Sequence, residues 1–142
     1  MRQISQQIFI DASALTAFID RADPNHIRCA RVFEFLAQHQ FKLYTSNLVI
    51  IQTFGRLEKD LGFAISREFL SVCLESNIQI LSPTEADLES AARFLKLNPE
   101  RQVSLMEIVN AHLMDKNHIP AILTFDYWHN LMGTTITRLL NS

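Results

Sequence analysis

The sequence predicts an α/β fold, an α/β/α sandwich around a central, mostly parallel sheet of about five strands. Two observations carry this. Short apolar runs alternate along the chain with longer segments whose apolar residues recur at helical spacing. Strands separated in this way by helices join through right-handed crossovers, giving a parallel sheet with helices on both faces.

The elements follow in order. Ile8-Phe9-Ile10 is a compact apolar run that leads into the helical "SALTAFID". After Pro24, "NHIRCARVFEFLAQHQ" places Ile27, Ala30, Val32, Phe33, Leu36 and Ala37 on a helical stripe. "FKLYTS" reads as the second strand, and "NLVIIQTFGRLEKDLG" as a helix with Ser46 or Asn47 at its N-cap and Gly62 placed to end it. "SREFLSVCLES" is a further helix, and "IQILS" a third strand halted by Pro83. "TEADLESAARFLKLN" is amphipathic and stops before Pro99, where the residue preceding proline leaves the helical region. "VSLMEIVNAHLMDKNH" is helical, "AILTFD" is a fourth strand, and "TTITRLL" offers a fifth.

Length and composition bound the rest. At 142 residues and 48% apolar content, residues 1–142 are expected to form a single domain with a full core. A net charge of −2 gives no overall basic field of the kind that marks many nucleic-acid binders, although local basic patches remain open. Cys29 and Cys73 lack a C-x-x-C partner, which excludes zinc ribbons and disulfide frameworks and makes both expected small core residues. With only three glycines there is neither a P-loop nor a dinucleotide fingerprint. "MRQISQQ" has no apolar signal region, and no stretch approaches the ~18 apolar residues of a membrane span, so the expected location is cytoplasmic, with no membrane contact.

Asp11 follows the first strand and Asp126 the fourth. In open parallel sheets ligands gather outside the carboxyl ends of the strands, where strand order reverses. Two acids delivered to that edge make a seat for a hard, oxygen-seeking cation. Each has a plainer reading: Asp11 also fits the N-cap of the helix beginning near Ala12, and Asp126 fits turn chemistry before "YWHN". A haloacid-dehalogenase-like site would want Asp at position 13, where Ser13 stands.

"FIDASAL", "TSNLVIIQT", "VSLMEIVNAHLM" and "ILTFD", in this order, resemble the motifs of PIN-domain ribonucleases, and the toxin halves of bacterial toxin-antitoxin pairs are nearest in length. The resemblance spans Ile8 to about Leu139. It implies a PIN-like fold, a divalent-metal-dependent endoribonuclease using Mg²⁺ or Mn²⁺, and single-stranded RNA as substrate. Asp11, Glu107 and Asp126 would be the catalytic and metal-binding acids, with Ser13, Gln52, Thr124 and His129 in support. It further implies a homodimer inhibited by a small antitoxin protein.

The chain departs from the family pattern twice. Glu107 stands where the family usually has Asp, which keeps the charge on a longer arm. Glu107 also completes an S-x-x-E capping box with Ser104, so capping and metal binding compete as its role. Gln52 stands where the family usually has Glu and brings no charge. Losing a unit charge ~4 Å from a cation forfeits on the order of several kcal/mol at an effective dielectric near ~20. The alternative function is therefore a catalytically inactive PIN-like module that binds RNA or protein.

Other residues carry weaker signals. His112 and His118 are six apart and make no metal-binding pair, so packing or surface roles are expected. His129 would reach a phosphate or a metal-bound water, and Tyr127 and Trp128 would stack on unpaired bases or simply pack. Arg2, Arg21, Arg28 and Arg31 are candidate phosphate contacts, and apolar faces near Phe33, Phe54 and Phe69 would serve either an antitoxin or the core.

Overall fold

The computed structural model describes residues 6–126. The strand expected over "TTITRLL", together with Arg2, Tyr127, Trp128 and His129, lies outside the described residues. Within them the chain runs β1 (Gln7–Ile10), α1 (Ala12–Ile19), α2 (His26–Gln38), β2 (Lys42–Ser46), α3 (Asn47–Leu61), α4 (Phe63–Glu75), β3 (Gln79–Leu81), α5 (Glu85–Leu97), α6 (Leu105–Lys116) and β4 (Ala121–Leu123). The four described strands form one sheet in the order β3-β2-β1-β4, and every pair is parallel.

That order fixes where a site can form. The chain builds outward from β1 through β2 to β3, then returns to add β4 on the other side of β1. Strand order therefore reverses between β1 and β4, the point beyond whose carboxyl ends ligands gather in open parallel sheets. Ile10 pairs with Leu123, and the Asp11 N–H donates to the Leu123 carbonyl at 3.1 Å. On the other flank the Thr45 hydroxyl donates to the Ile10 carbonyl at 2.8 Å, so the end of β1 is tied to both neighbours.

Ile8, Phe9 and Ile10 are fully buried, as a central parallel strand covered on both faces requires. The main core gathers around them from α1, α2, α3 and α4, and includes Cys29, Leu57 and Phe69. On α2 the buried face is Cys29, Val32 and Leu36, while Ile27 is 67% exposed and Ala37 is also exposed. At 100° per residue Ile27 lies nearly opposite Cys29, so the stripe is narrower than the apolar composition suggests. Ser46 caps α3 by accepting the Val49 N–H, and Gly62 ends it at φ 96°, a conformation that suits glycine. Phe33 and Phe54 pack against the core that contains Phe69, so these three are core residues and not a docking face.

A smaller core of Ala91, Ile108, Val109 and Leu113 joins α5 to α6. One buried acid fastens this pair. Asp87, 1% exposed, closes a capping box with Thr84 at the start of α5, where the Thr84 N–H donates to its carboxylate at 2.7 Å. The same carboxylate meets His112 Nε2 at 3.0 Å and accepts from Lys116 Nζ at 3.2 Å. His112 is thus an interhelical contact rather than plain packing, a role that spacing relative to His118 does not reveal. The Thr84 N–H, with Lys116 in support and against the effect of burial, holds the Asp87 carboxyl down at about 2.

A depressed acid stabilises the fold above its ordinary pKa of 3.8, and that contribution is lost as pH falls through about 2. Asp87→Ala is expected to lower stability by roughly 2–4 kcal/mol near neutral pH, through the lost cap and the loss of the shared partner of His112 and Lys116. Urea unfolding checks this, and the gap between wild type and variant should narrow as the pH is taken below about 3.

Candidate active site

Asp11 occupies the N-cap position of α1 with extended backbone angles, yet its side chain makes no capping hydrogen bond. Its carboxylate is directed across the switch point instead. Oδ2 accepts from the Thr124 hydroxyl at 2.7 Å and from the Ser13 hydroxyl at 3.4 Å, and Asp11 is only 2% exposed. Ser13 and Thr124 face one another at 3.2 Å. The Phe125 N–H donates to the Ser13 hydroxyl at 2.9 Å, and the Asp126 N–H to the Thr124 hydroxyl at 3.1 Å. Residues 11–13 and 124–126 are thereby stitched into one unit. The capping alternative for Asp11 is set aside by this geometry, and Ser13 and Thr124 are the groups that orient it.

Glu107 approaches from a third element. Ser104 caps α6 by accepting the Glu107 N–H at 3.1 Å. Partial burial raises the Glu107 carboxyl, the Ser104 backbone N–H draws it down, and Asp11 and Asp126 raise it further by like-charge repulsion. Asp126 is raised by partial burial and then by Asp11, and lowered by Arg56. The two roles weighed for Glu107 are therefore compatible: it faces its own helix start and shares the field of the two strand-end acids.

The donor set is all oxygen, and its mutual repulsion is the condition a hard divalent cation relieves. Yet among the described residues no three His, Cys, Asp or Glu side chains stand close enough together to hold a metal ion unaided. Mg²⁺ commonly keeps several waters beside one or two carboxylates, so a site for it does not require three protein ligands.

Gln52 is exposed on α3 and takes no part in the hydrogen bonds around Asp11 among the described residues. One helical turn later Arg56 brings a positive charge that Asp126 feels. Arg28 lies with its guanidinium carbon 5.8 Å from the Phe125 ring centroid, beside the site, and Arg21 and Arg31 are exposed. Sequence reasoning passed over Arg56 and over Asn110. Asn110 is fully buried one turn after Glu107, and its Oδ1 accepts from the Ser46 hydroxyl at 2.7 Å. Its Nδ2 has no partner among the described residues. An amide inside the apolar "IVNAHLM" was the signal available for it.

A parallel α/β sandwich with Asp11 and Asp126 at its strand-order reversal defines the class. The PIN domain family profile matches residues 8–129, and the chain belongs to that family. It is 28% identical over 126 residues to ribonuclease VapC26 of Mycobacterium tuberculosis, an alignment covering 86% of this chain and 88% of that one. Its fold is similar to the crystal structure of M. tuberculosis VapC20, described as a sarcin-ricin loop cleaving toxin. The TM-score is 0.75 at 24% identity, over 84% of this chain and 89% of the other. No helix among the described residues is long and apolar enough to cross a membrane.

For Glu107 the sign of the pH effect is opposite to that for Asp87. An acid whose carboxyl is raised in the fold contributes stability below its ordinary value of 4.5 and loses it as pH rises through the folded value. Glu107→Gln, which keeps a capping side chain, should melt at or above the wild-type temperature near pH ~7 without added metal, an advantage that disappears near pH ~4. Addition of Mn²⁺ should raise the melting temperature of wild type more than that of the variant, and differential scanning calorimetry reads both.

Proposed function

We propose that this protein is a divalent-metal-dependent endoribonuclease of the PIN type acting on single-stranded RNA, and the toxin of a toxin-antitoxin pair. The observation that carries the reading is the Asp11 carboxylate held at the switch point by Thr124 from the end of β4, with Asp126 two residues further on. The relatives named ribonuclease and cleaving toxin support it.

Asp11, Asp126 and Glu107 would hold Mg²⁺ or Mn²⁺, which when bound supplies positive charge to the phosphate and acidifies water. The chain's own groups do the rest. Thr124 and Ser13 hold the Asp11 carboxylate in one orientation, so no reorganisation is needed as charge develops. Glu107, set at the start of α6 by the Ser104 cap, would share in holding the ion, and the water so acidified would attack phosphorus as the bond to the ribose oxygen breaks and that oxygen takes a proton from solvent. We assign the protein to the cytoplasm as a homodimer held inactive by a small antitoxin. Exposed apolar side chains at Ile51, Phe63, Val72 and Leu74 support protein contacts on α3 and α4.

A cleavage assay on single-stranded RNA with Mg²⁺ or Mn²⁺ tests the proposal. Wild type should cut, Asp11→Asn should lose about a hundredfold or more in rate, and Gln52→Glu should be several-fold faster. A silent wild type beside an active Gln52→Glu variant would replace the enzyme with the RNA- or protein-binding module.

A further inference from the structure

Between α5 and α6 lies a cavity of about 270 Å³ whose lining includes none of the candidate active-site residues. Its wall is apolar where Ala91 and Ala111 are buried, and Phe94 contributes an aromatic ring. Ser90, His112 and Asp115 supply its polar groups. Sites for drug-sized ligands span ~300–1,000 Å³, so this one suits a single small ring system.

The polar groups accept more than they donate. Asp87, its carboxyl held down at about 2, is a carboxylate at neutral pH, so the His112 Nε2 that meets it at 3.0 Å carries a proton. In the neutral imidazole the remaining nitrogen, Nδ1, is then an acceptor. Asp115, an exposed residue of the lining, offers a pair of carboxylate oxygens. Cations stand beside these acceptors. Arg93 donates to the Ser90 hydroxyl at 3.0 Å, the Arg101 guanidinium carbon lies 5.9 Å from the Phe94 ring centroid, and Lys116 donates to Asp87 at 3.2 Å.

A ligand that suits both features has a flat ring bearing N–H donors and an anionic tail. A polyamine or a peptide arginine has the donors, but the cations beside the cavity oppose it. Among the common nucleobases, guanine presents adjacent N–H donors, on the ring nitrogen and the amino group, that a single carboxylate can accept together. We propose that the α5–α6 cavity is a guanine-nucleotide subsite, in which the base lies against Phe94, Asp115 accepts its paired N–H donors, and Arg93 and Arg101 meet its phosphate. The nucleotide is either free or part of an RNA strand. The inference goes beyond the nuclease reading and does not depend on it, because no residue of the acid cluster takes part.

Heteronuclear NMR of the whole chain, observing the amides of Ser90, Phe94, His112 and Asp115, reads binding of guanosine monophosphate, adenosine monophosphate and guanosine. Guanosine monophosphate should shift these amides. The adenine nucleotide should bind about tenfold or more weakly, and guanosine, which lacks the phosphate, several-fold more weakly. Asp115→Asn, at an exposed position, should lose about tenfold in affinity for the guanine nucleotide and change that for the adenine nucleotide little. Arg93→Gln should narrow the gap between guanosine monophosphate and guanosine, and Ala111→Leu, which fills the cavity, should weaken every ligand. An all-uridine RNA and the same strand carrying one guanosine, both in chelator, identify the source. Shifts with the guanosine-bearing strand and not with the all-uridine strand put the subsite on the RNA path, whereas shifts with guanosine monophosphate and neither strand assign it to the free nucleotide. Equal affinity for the guanine and adenine nucleotides, an Asp115→Asn protein that binds as wild type does, or unmoved amides at about 10 mM guanosine monophosphate overturns the proposal. Each of these outcomes leaves the metal-nuclease reading standing, which the Asp11→Asn cleavage assay decides separately.

Discussion

The parallel pairing of β4 with β1, closed by the hydrogen bond from Thr124 to Asp11, is the constraint on which the rest of the site depends. It joins residues more than a hundred positions apart, and without it two buried or half-buried strand ends would carry isolated acids. A carboxylate as deeply buried as Asp11 is tolerated because hydroxyl donors meet it; left unpaired, the cost of removing it from water would be severe. The backbone reinforces the side chains, with the Asp11 N–H on Leu123 and the Phe125 N–H on Ser13. Sheet register and site geometry are therefore one property of this chain.

Around that fixed pair the electrostatics are graded. Asp126 lies at the rim and Glu107 half-buried at a helix start, each raised by burial and by its neighbours. Like charges held this close are costly to the fold, and such perturbed acids are often found at functional sites. The cluster is also incomplete, with no three ligating side chains closed on one point among the described residues.

Much of this was legible in the sequence because it was written in local patterns. The apolar runs ending in Asp11 and Asp126 gave strand, edge and acid together, and Ser46, Gly62 and Pro83 punctuated the helices and strands as their chemistry requires. Asp11 shows the limit: its residue type and position suit a cap, and only the approach of Thr124 from the far end of the chain decides otherwise. Ser104 and Glu107 were readable as a cap, whereas the repulsion from Asp11 and Asp126 is a tertiary fact. Asp87 with His112 and Lys116, and Ser46 with Asn110, join different elements, so no spacing along the chain encodes them.

The Asp87 clamp has a reach that its location conceals. Helix α6 bears His112 and Lys116 toward its far end and Glu107 in its first turn, and a helix transmits a shift along its axis as a stiff rod. The seat of Glu107 is thus inherited from an anchor on α5, two turns or so away. Weakening that anchor would let the rod tilt and displace one corner of the acid triangle while Asp11 and Thr124 stayed in register. Distant lesions on α5 would then surface as altered chemistry in a protein whose sheet is untouched.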